Sequence, residues 1–304
     1  MKQVIYWIHY ATVCFISRVM NLFPFSTALH LTRPLGFLMY ALLKKPREMA
    51  FENLRFAFQN EKSRDEIQKI AKGTFVHLAE FGIEWLRLPD MIRHPEKYLA
   101  GFHGAEKMHR ELEKGKGAIL LVSHVGNQEV MALIAGLFLA KPVNRSIYAL
   151  ARPLKNPYLY QHAVRLRGGM GLKTIDKQGG VREAFDRLRK ENAIVCILID
   201  QRISEGSIEV NFFGRPALTT TLPVLAALRI GSPIFFSGFY RTPDSKYEMN
   251  LGDQFLIERT GDYKKDIRVN TQRFIDRIET EIRKDPAKWL WMHNRWRAPH
   301  GPKD

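Results

Sequence analysis

A histidine and a carboxylate lie five positions apart where a short apolar run ends. His124 follows the run Ala118–Val122, and Glu129 opens a stretch with apolar residues at helical spacing. The run predicts a buried strand, so His124 is expected in a strand-to-helix loop that faces a cleft. A neutral imidazole there can take the proton of a hydroxyl group, while a carboxylate fixes its tautomer. The pair predicts a hydroxyl-activating dyad of His124 and Glu129.

The spacing alone leaves a structural alternative open. Two residues five apart on a straight helix point about 140° apart, so the dyad requires His124 to lie in the loop. Otherwise His124 would satisfy a backbone group at the strand end, and Glu129 would lie near a helix N-terminus because of the helix dipole. If the dyad forms, the N–H groups of Gly126 and Asn127 are our candidate donors to the oxyanion of an acyl-transfer reaction.

Two polar positions follow the next predicted strand. Arg152, before Pro153, offers a planar guanidinium suited to phosphate, although a surface ion pair fits equally well. Asn156, before Pro157, is typical of a helix cap with a proline in the first turn, and that role could be purely architectural. Arg152 and Asn156 are therefore candidate substrate-binding residues, with both alternatives open.

Another apolar run ends in Asp200, Gln201 and Arg202, which are also candidate substrate-binding residues. A carboxylate at the end of a buried strand needs a partner. Asp200 is therefore expected to pair with Arg152, Arg202 or a substrate hydroxyl, and structural pairing is the favoured role.

An aromatic turn supplies the last candidates. Phe213, Gly214 and Arg215 combine aromatic bulk, a glycine and a cation, which suits a wall for an acyl chain. The alternative is a turn with core aromatics. The three tryptophans of Trp289–Trp296 suit either anchoring at a membrane interface or packing of the last segment, and packing with a basic rim is favoured. His293 is interpreted as a hydrogen-bonding residue rather than a second base, and no spacing calls for a metal.

Several segments together resemble a known family. The His124 to Glu129 spacing matches the His-x4-Asp/Glu signature of the glycerolipid-type acyltransferases. The other matching segments, in chain order, are Arg47–Phe58, Ala151–Pro157, Asp200–Arg202, Phe212–Ala217 and Trp289–Trp296. The chain thus resembles, over nearly its whole length, the late acyltransferases of lipid A biosynthesis, the lauroyl and myristoyl transferases of the bacterial inner membrane.

The resemblance implies an activity and its partners. A fatty acyl group would pass from an acyl carrier protein thioester to a hydroxyl of a lipid A precursor, at the cytoplasmic face of the inner membrane. His124 would be the general base assisted by Glu129, Arg152 would help to hold the phosphorylated glycolipid acceptor, and no cofactor is expected. Acyl-CoA is an alternative donor, and the acidic surface of an acyl carrier protein suits a basic partner.

Composition agrees with an anionic partner. The 304 residues include 47 Lys and Arg against 31 Asp and Glu, a net charge of +16. The basic residues are scattered and match no nucleic-acid-binding motif, so nucleic acid is not expected as a partner. The two cysteines, Cys14 and Cys196, are far apart in apolar surroundings, which favours neither a disulfide framework nor a redox site.

The N-terminus is predicted to associate with a membrane. Val4–Ile16, Val19–Leu29 and Gly36–Leu43 are apolar, but none reaches the roughly 20 residues of a spanning helix. We therefore predict an interfacial anchor over residues 1–45 and an acyltransferase catalytic domain over 46–304. A single tilted span and a buried core helix are the alternatives.

In the remaining chain, predicted helices alternate with predicted strands, which is typical of an α/β fold. A capping box at Ser63 and Glu66 begins a helix that Pro89 is expected to end. We predict one mixed, largely parallel sheet of about seven strands flanked by helices. The predicted strands lie near Ala118–Val122, Ser146–Ala151, Leu172–Ile175, Ala193–Ile199, Glu209–Phe213, Pro233–Arg241 and Tyr247–Ile257.

Two rival functions stay open at this point. Another lipid acyltransferase, acting on an ornithine lipid, a glycolipid or a lysophospholipid, would use the same dyad. A non-catalytic basic protein that docks on anionic membranes or nucleic acid would explain the charge and the apolar N-terminus. It would not explain the pairing of His124 with Glu129.

Overall fold

The computed structural model describes residues 2–59, 61–176, 179–203 and 206–296. Helices precede the sheet in the chain and then alternate with its strands. The α-helices are α1 (Lys2–Met20), α2 (Phe25–His30), α3 (Thr32–Leu42), α4 (Lys44–Phe58), α5 (Arg64–Arg93), α6 (Pro95–Tyr98), α7 (Ala105–Leu112), α8 (Gln128–Ile134), α9 (Pro157–Gly169), α10 (Gly180–Glu191), α11 (Leu222–Arg229) and α12 (Tyr263–Lys284).

A seven-stranded sheet forms the centre of the molecule. The strands are β1 (Leu99–His103), β2 (Ala118–Val122), β3 (Ile147–Ala151), β4 (Leu172–Asp176), β5 (Ile194–Leu198), β6 (Ser207–Phe212), β7 (Arg215–Thr220), β8 (Ile234–Arg241) and β9 (Tyr247–Gln254). The sheet order is β1-β9-β8-β2-β5-β3-β4, and β6 and β7 form a separate hairpin. Among the described residues, β8 and β9 pair antiparallel, and the other neighbouring strands of the sheet pair parallel. The predicted α/β class with a largely parallel mixed sheet is confirmed.

Two details of the predicted sheet are wrong. The predicted strand near Glu209–Phe213 belongs to the hairpin with β7, because its antiparallel partner follows it directly in the chain. The seventh strand of the sheet is instead β1, a short edge strand with Gly101 at its centre, whose apolar signal is weak.

Helix α5 begins as predicted but ends later. Ser63 Oγ accepts from the N–H of Glu66, and Glu66 Oε2 accepts from the N–H of Ser63 at 2.8 Å, which completes the predicted capping box. The helix continues through Pro89 to Arg93. The side chains of Leu88 and Met91 are fully buried on either side of the proline. That burial offsets the hydrogen bond which Pro89 cannot donate.

The N-terminal helices pack against α5. Gly36 of α3 approaches α5 so closely that a Cβ atom there would lie 2.4 Å from the Cα of Val76. Ser17 of α1 donates to the carbonyl of Leu86 at 2.5 Å, and Arg87 donates to the carbonyl of Phe23 at 2.8 Å. The boundary at residue 45 stays a prediction; it falls at the start of α4.

The apolar N-terminal helices bear on whether the chain crosses a membrane. Among the described residues, no single helix is long and apolar enough to cross a membrane. Lys2–Met20 and Phe25–Leu42 could do so together by length and composition, as a pair bent by 119°.

Candidate active site

The strand order brings His124 and Asp200 together. Strands β2 and β5 are parallel neighbours in which Val122 pairs with Leu198. Each of the two side chains lies two residues beyond that pair, so both leave the sheet at the same edge. Carboxyl ends of parallel strands are where open α/β sheets hold their ligands.

The two side chains form a hydrogen-bonded dyad. Nδ1 of His124 lies 2.7 Å from Oδ1 of Asp200, and the backbone N–H of His124 donates to Oδ2 of Asp200 at 2.7 Å. The indole N–H of Trp289 donates to the same Oδ2 at 2.9 Å. No described residue bonds to Nε2 of His124. With the proton held on Nδ1 by Asp200, Nε2 can act as a base toward a hydroxyl group.

The carboxylate of Asp200 is charged although it is fully buried. Burial acts to raise its pKa, but the charge of His124 and the hydrogen bonds from His124 and Trp289 outweigh that effect and lower the pKa to about 2. A carboxylate of this kind can fix the imidazole tautomer and stabilise an imidazolium.

The predicted contact between His124 and Glu129 is wrong. Glu129 lies in the first turn of α8 and receives two hydrogen bonds from the guanidinium of Arg167 on α9, with Nε to Oε2 at 3.0 Å. Helix α8 starts at Gln128 and turns the Glu129 side chain toward α9 rather than toward the loop. Burial opposes ionisation of Arg167, yet the hydrogen bonds and charge of Glu129 prevail and raise the pKa of Arg167. A role of Glu129 in catalysis stays a prediction, and it would act through α8.

Removal of one member of this pair should destabilise the fold. Their side chains are only 10% and 19% exposed, so Glu129→Gln leaves the Arg167 guanidinium poorly solvated and without its counterion. We expect the free energy of unfolding to fall by about 3 kcal/mol in urea denaturation. Adding Arg167→Met should recover at least about half of that loss. Purely additive effects of the two substitutions would contradict this account of the pair.

The two oxyanion candidates have different surroundings. The N–H of Gly126 donates to the carbonyl of Lys288 at 3.0 Å, so it is not a free donor and that prediction is wrong. The C-terminal segment packs onto the loop and takes this N–H. The N–H of Asn127 stays a prediction, while its buried side chain caps α8 by accepting from the N–H groups of Glu129 and Val130.

The predicted substrate residues fall into two groups: those that follow strand ends with side-chain groups still available, and those that the packing of the fold uses. Arg152 is exposed at the end of β3 and pairs with no described residue. Arg202 has a buried Nε without a partner, and its backbone N–H donates to Nε2 of His293 at 3.3 Å. Gln201 is half-buried and follows Asp200 directly in the chain. These positions follow the carboxyl ends of β3 and β5, and β5 is also the neighbour of β2, the strand that leads to His124.

Asn156 belongs to the architecture of the fold. Its Oδ1 accepts from the N–H groups of Tyr158 and Leu159 at the start of α9, and its Nδ2 donates to the carbonyl of Tyr6 at 2.9 Å. Both ends of the amide are therefore used. The architectural role fits these contacts, and the substrate-binding role does not.

The aromatic turn is packed away from solvent. Phe213 is 5% exposed and meets the rings of Phe58 and Trp291, with a positive φ of 52°. Gly214 lies in the exposed turn, and the guanidinium of Arg215 stacks over Phe56 at 3.2 Å from the ring centroid. The alternative of a turn with core aromatics describes this arrangement, because Phe213 has almost no ring surface left for an acyl chain.

Sequence reasoning missed three contacts that build the site. The partnership of Asp200 with His124 depends on strand order, and Arg167 has no local signal at all. Trp289 was assigned to packing, which is correct for its ring, but its N–H also binds Asp200. Among the described residues, no three His, Cys, Asp or Glu side chains group as a metal ion would need.

Acid should remove the contribution of Asp200 to stability. Its folded pKa of about 2 lies below its ordinary value of 3.8, so the stabilisation is complete above about pH 4 and disappears as the pH falls toward 2. That contribution is about 2 kcal/mol. Urea denaturation between about pH 5 and 2 should show this fall in wild type and not in Asp200→Asn. Equal pH dependence in the two proteins would count against a charged Asp200.

The fold and dyad define a class. A His–Asp pair at the carboxyl edge of a mixed α/β sheet, whose second imidazole nitrogen bonds to none of the described residues, can activate a hydroxyl group for attack on a carbonyl. The sequence profile of the bacterial lipid A biosynthesis acyltransferases matches residues 1–298. The chain belongs to this family.

Curated relatives in mycobacteria are also similar. A phosphatidylinositol mannoside acyltransferase of Mycobacterium tuberculosis (strain ATCC 25618 / H37Rv) is 26% identical over 199 residues, which cover 64% of this chain and 59% of the relative. The protein of the same name from strain CDC 1551 / Oshkosh is 26% identical over 234 residues, 73% of this chain and 69% of the relative. The protein of that name from Mycolicibacterium smegmatis is 26% identical over 190 residues, 62% of this chain and 59% of the relative. The match thus spans about three fifths of two of these relatives.

Proposed function

We propose that this protein transfers a fatty acyl group from a thioester to a hydroxyl group of a phosphorylated glycolipid. The observation that carries the proposal is the bond between His124 Nδ1 and Asp200, which leaves Nε2 as the base at the carboxyl edge of the sheet. Membership of the acyltransferase family supports the same reaction class.

The reaction follows from the protonation state of His124. Nε2 takes the proton of the acceptor hydroxyl while its oxygen attacks the thioester carbon. The new C–O bond gives a tetrahedral intermediate, and the C–S bond then breaks. The leaving sulfur takes the proton from Nε2, so the products are an ester and a free thiol, and His124 is neutral again. Asp200 stabilises the imidazolium between these steps.

The acceptor is proposed from the charge at the carboxyl edge of the sheet. Arg152 and Arg202 have guanidinium groups without carboxylate partners among the described residues, and a guanidinium is suited to phosphate. A lipid A precursor, which carries phosphates on a sugar, is the preferred acceptor. Phosphatidylinositol mannoside, which the mycobacterial relatives are named for, is the second candidate because it combines the same two groups.

The donor is proposed to be acyl carrier protein. The net charge of +16 favours an acidic macromolecular partner. Acyl-CoA offers the same thioester with a much smaller charged surface. Comparison of the two donors at matched concentration distinguishes them, since a carrier-dependent enzyme should show a far lower KM for the acyl carrier protein.

Membrane association is proposed from the apolar surface of α1 and α3. Trp7, Phe15, Phe37 and Leu42 are among the large apolar side chains exposed on these helices. Such a surface, beside many cations, suits the boundary between headgroups and acyl chains. We place the protein at the cytoplasmic face of the inner membrane, where acyl thioesters are available.

A transfer assay tests the proposal. Purified protein is mixed with dodecanoyl acyl carrier protein and vesicles that contain either a tetra-acylated lipid A precursor or phosphatidylinositol mannoside, and the acylated product is measured. We expect transfer to the lipid A precursor, lost in Arg152→Gln at low acceptor concentration. Transfer only to the mannoside would select the second acceptor. Binding to both vesicles without any transfer would contradict the proposal and favour the non-catalytic binder.

A further inference from the structure

A buried amide fixes the loop that carries His124. Asn127 lies three residues beyond His124 and is fully buried. Its Oδ1 is used by the cap of α8, and its Nδ2 donates to Oε2 of Glu84 at 2.8 Å. Glu84 comes from the middle of α5, so this bond ties the loop to a helix 43 residues away in sequence.

Glu84 is itself held by donors from the β8–β9 hairpin. It is 2% exposed and accepts from the hydroxyl of Tyr247 and from Nη2 of Arg241, the latter at 2.6 Å. Burial and the neighbouring Glu84 raise the pKa of Tyr247, which keeps its hydroxyl protonated as a donor. The carboxylate therefore has three donors from three segments, which satisfies a group that would otherwise be unstable in the core.

The β8–β9 hairpin also packs directly against the loop that carries His124. Phe239 stacks on Tyr247 with ring centroids 5.5 Å apart and an angle of 10° between the rings. Gly126, with φ of +89°, lies against Phe239 so closely that a Cβ atom would be 2.4 Å from its Cδ1. Gly126 and Asn127 are thus held by a connected set of side chains, Phe239, Tyr247 and Glu84, which we call the loop clamp.

We propose that Glu84 is a positioning residue for catalysis, because the loop clamp sets where His124 lies relative to Asp200 and to the substrate. Asp200 holds the loop from the β5 side of β2, and the clamp holds it from the β8 side. A displacement of about 1 Å in a reacting group can lower a rate about 10²-fold. This inference rests on the proposed acyl transfer by His124.

One substitution at Asn127 removes the hydrogen bond to Glu84 and keeps the cap of α8. Asn127→Asp keeps an oxygen that caps α8, since aspartate is as good a cap as asparagine. It also places a carboxylate where Nδ2 now donates to Glu84, so two like charges meet at hydrogen-bond distance. We expect kcat to fall by about 10- to 100-fold with KM changed by less than about threefold.

A second substitution should reverse that loss. Combining Asn127→Asp with Glu84→Gln keeps the total charge and lets the glutamine amide donate to the aspartate, so the hydrogen bond is restored in the opposite direction. We expect kcat to return to within about fivefold of wild type. Glu80→Gln is the matched control, because Glu80 lies one turn earlier on α5 and faces Arg241 at 3.8 Å but does not touch Asn127. Its kcat should equal that of wild type.

Hydrogen exchange gives a readout that needs no substrate. The N–H of His124 and the N–H of Gly126 are bonded to Asp200 and Lys288, and their exchange should accelerate about tenfold in Asn127→Asp and recover in the double variant, while strand β5 is unchanged. Transfer is measured from dodecanoyl acyl carrier protein to the lipid A precursor in vesicles.

The outcomes keep the two proposals separate. A normal kcat in Asn127→Asp, a loss of thermal stability alone, or no recovery in the double variant would overturn the clamp. If wild type shows no transfer to any acceptor, the proposed function fails, and the exchange rates alone then support or overturn the clamp.

Discussion

Replacing His124 with asparagine should lower acyl transfer by about 10²- to 10⁴-fold without unfolding the protein. The asparagine amide can occupy the position of Nδ1 and still donate to Asp200, so the buried carboxylate keeps this partner. What disappears is Nε2, the proposed base. Initial rates of transfer, together with thermal denaturation, check the prediction.

A surface histidine provides the control for this substitution. His103, at the end of β1, has a side chain that is 62% exposed, and His103→Asn should transfer at the wild-type rate. A loss of less than about threefold in His124→Asn, at unchanged thermal stability, would exclude His124 as the general base.

Replacing Asp200 with asparagine should have a comparable effect for a different reason. The amide matches the carboxylate in shape but can donate to Nδ1, which moves the imidazole proton to Nε2 and removes the base. We expect kcat to fall by about 10²- to 10⁴-fold. The N–H groups of Trp289 and His124, which both donate to Oδ2 of Asp200, then bond to a neutral amide oxygen instead of a carboxylate, so stability should also fall by about 1 to 3 kcal/mol.

Rates for Asp200→Asn must be expressed per folded molecule. Asp176→Asn is the matched control, because Asp176 is an exposed carboxylate that ends the parallel strand β4 at the same edge of the sheet. The control should retain the wild-type rate. Full activity of Asp200→Asn would exclude Asp200 from the mechanism and favour Glu129 as the carboxylate that assists His124.

The sequence predicted the position of His124 but not its partner. An apolar run followed by a polar loop is local information, and β2 lies over the predicted residues. Asp200 is 76 residues further along, and it meets His124 only because β5 is the neighbour of β2. Periodicity identifies strands without ordering them in a sheet, so the carboxylate nearest in sequence, Glu129, was preferred over the one nearest in space.

The same limit explains the other differences. Asn156 and Phe213 sit in turns whose residue types suit either packing or binding, and only their contacts with Tyr6 and Trp291 favour packing. The C-terminal tryptophans were expected to pack, and Trp289 and Trp291 are indeed buried. Neither Arg167 nor Glu84 has a motif, because their partners come from distant elements.

The tautomer of His124 distinguishes a His124–Asp200 dyad from a His124–Glu129 pair. In ¹⁵N-histidine-labelled protein, NMR distinguishes a proton on Nδ1 from one on Nε2. We expect the Nδ1–H form near neutral pH in wild type and in Glu129→Gln, and its loss in Asp200→Asn. A wild-type Nε2–H form, or a tautomer that changes in Glu129→Gln and not in Asp200→Asn, would contradict the His124–Asp200 dyad.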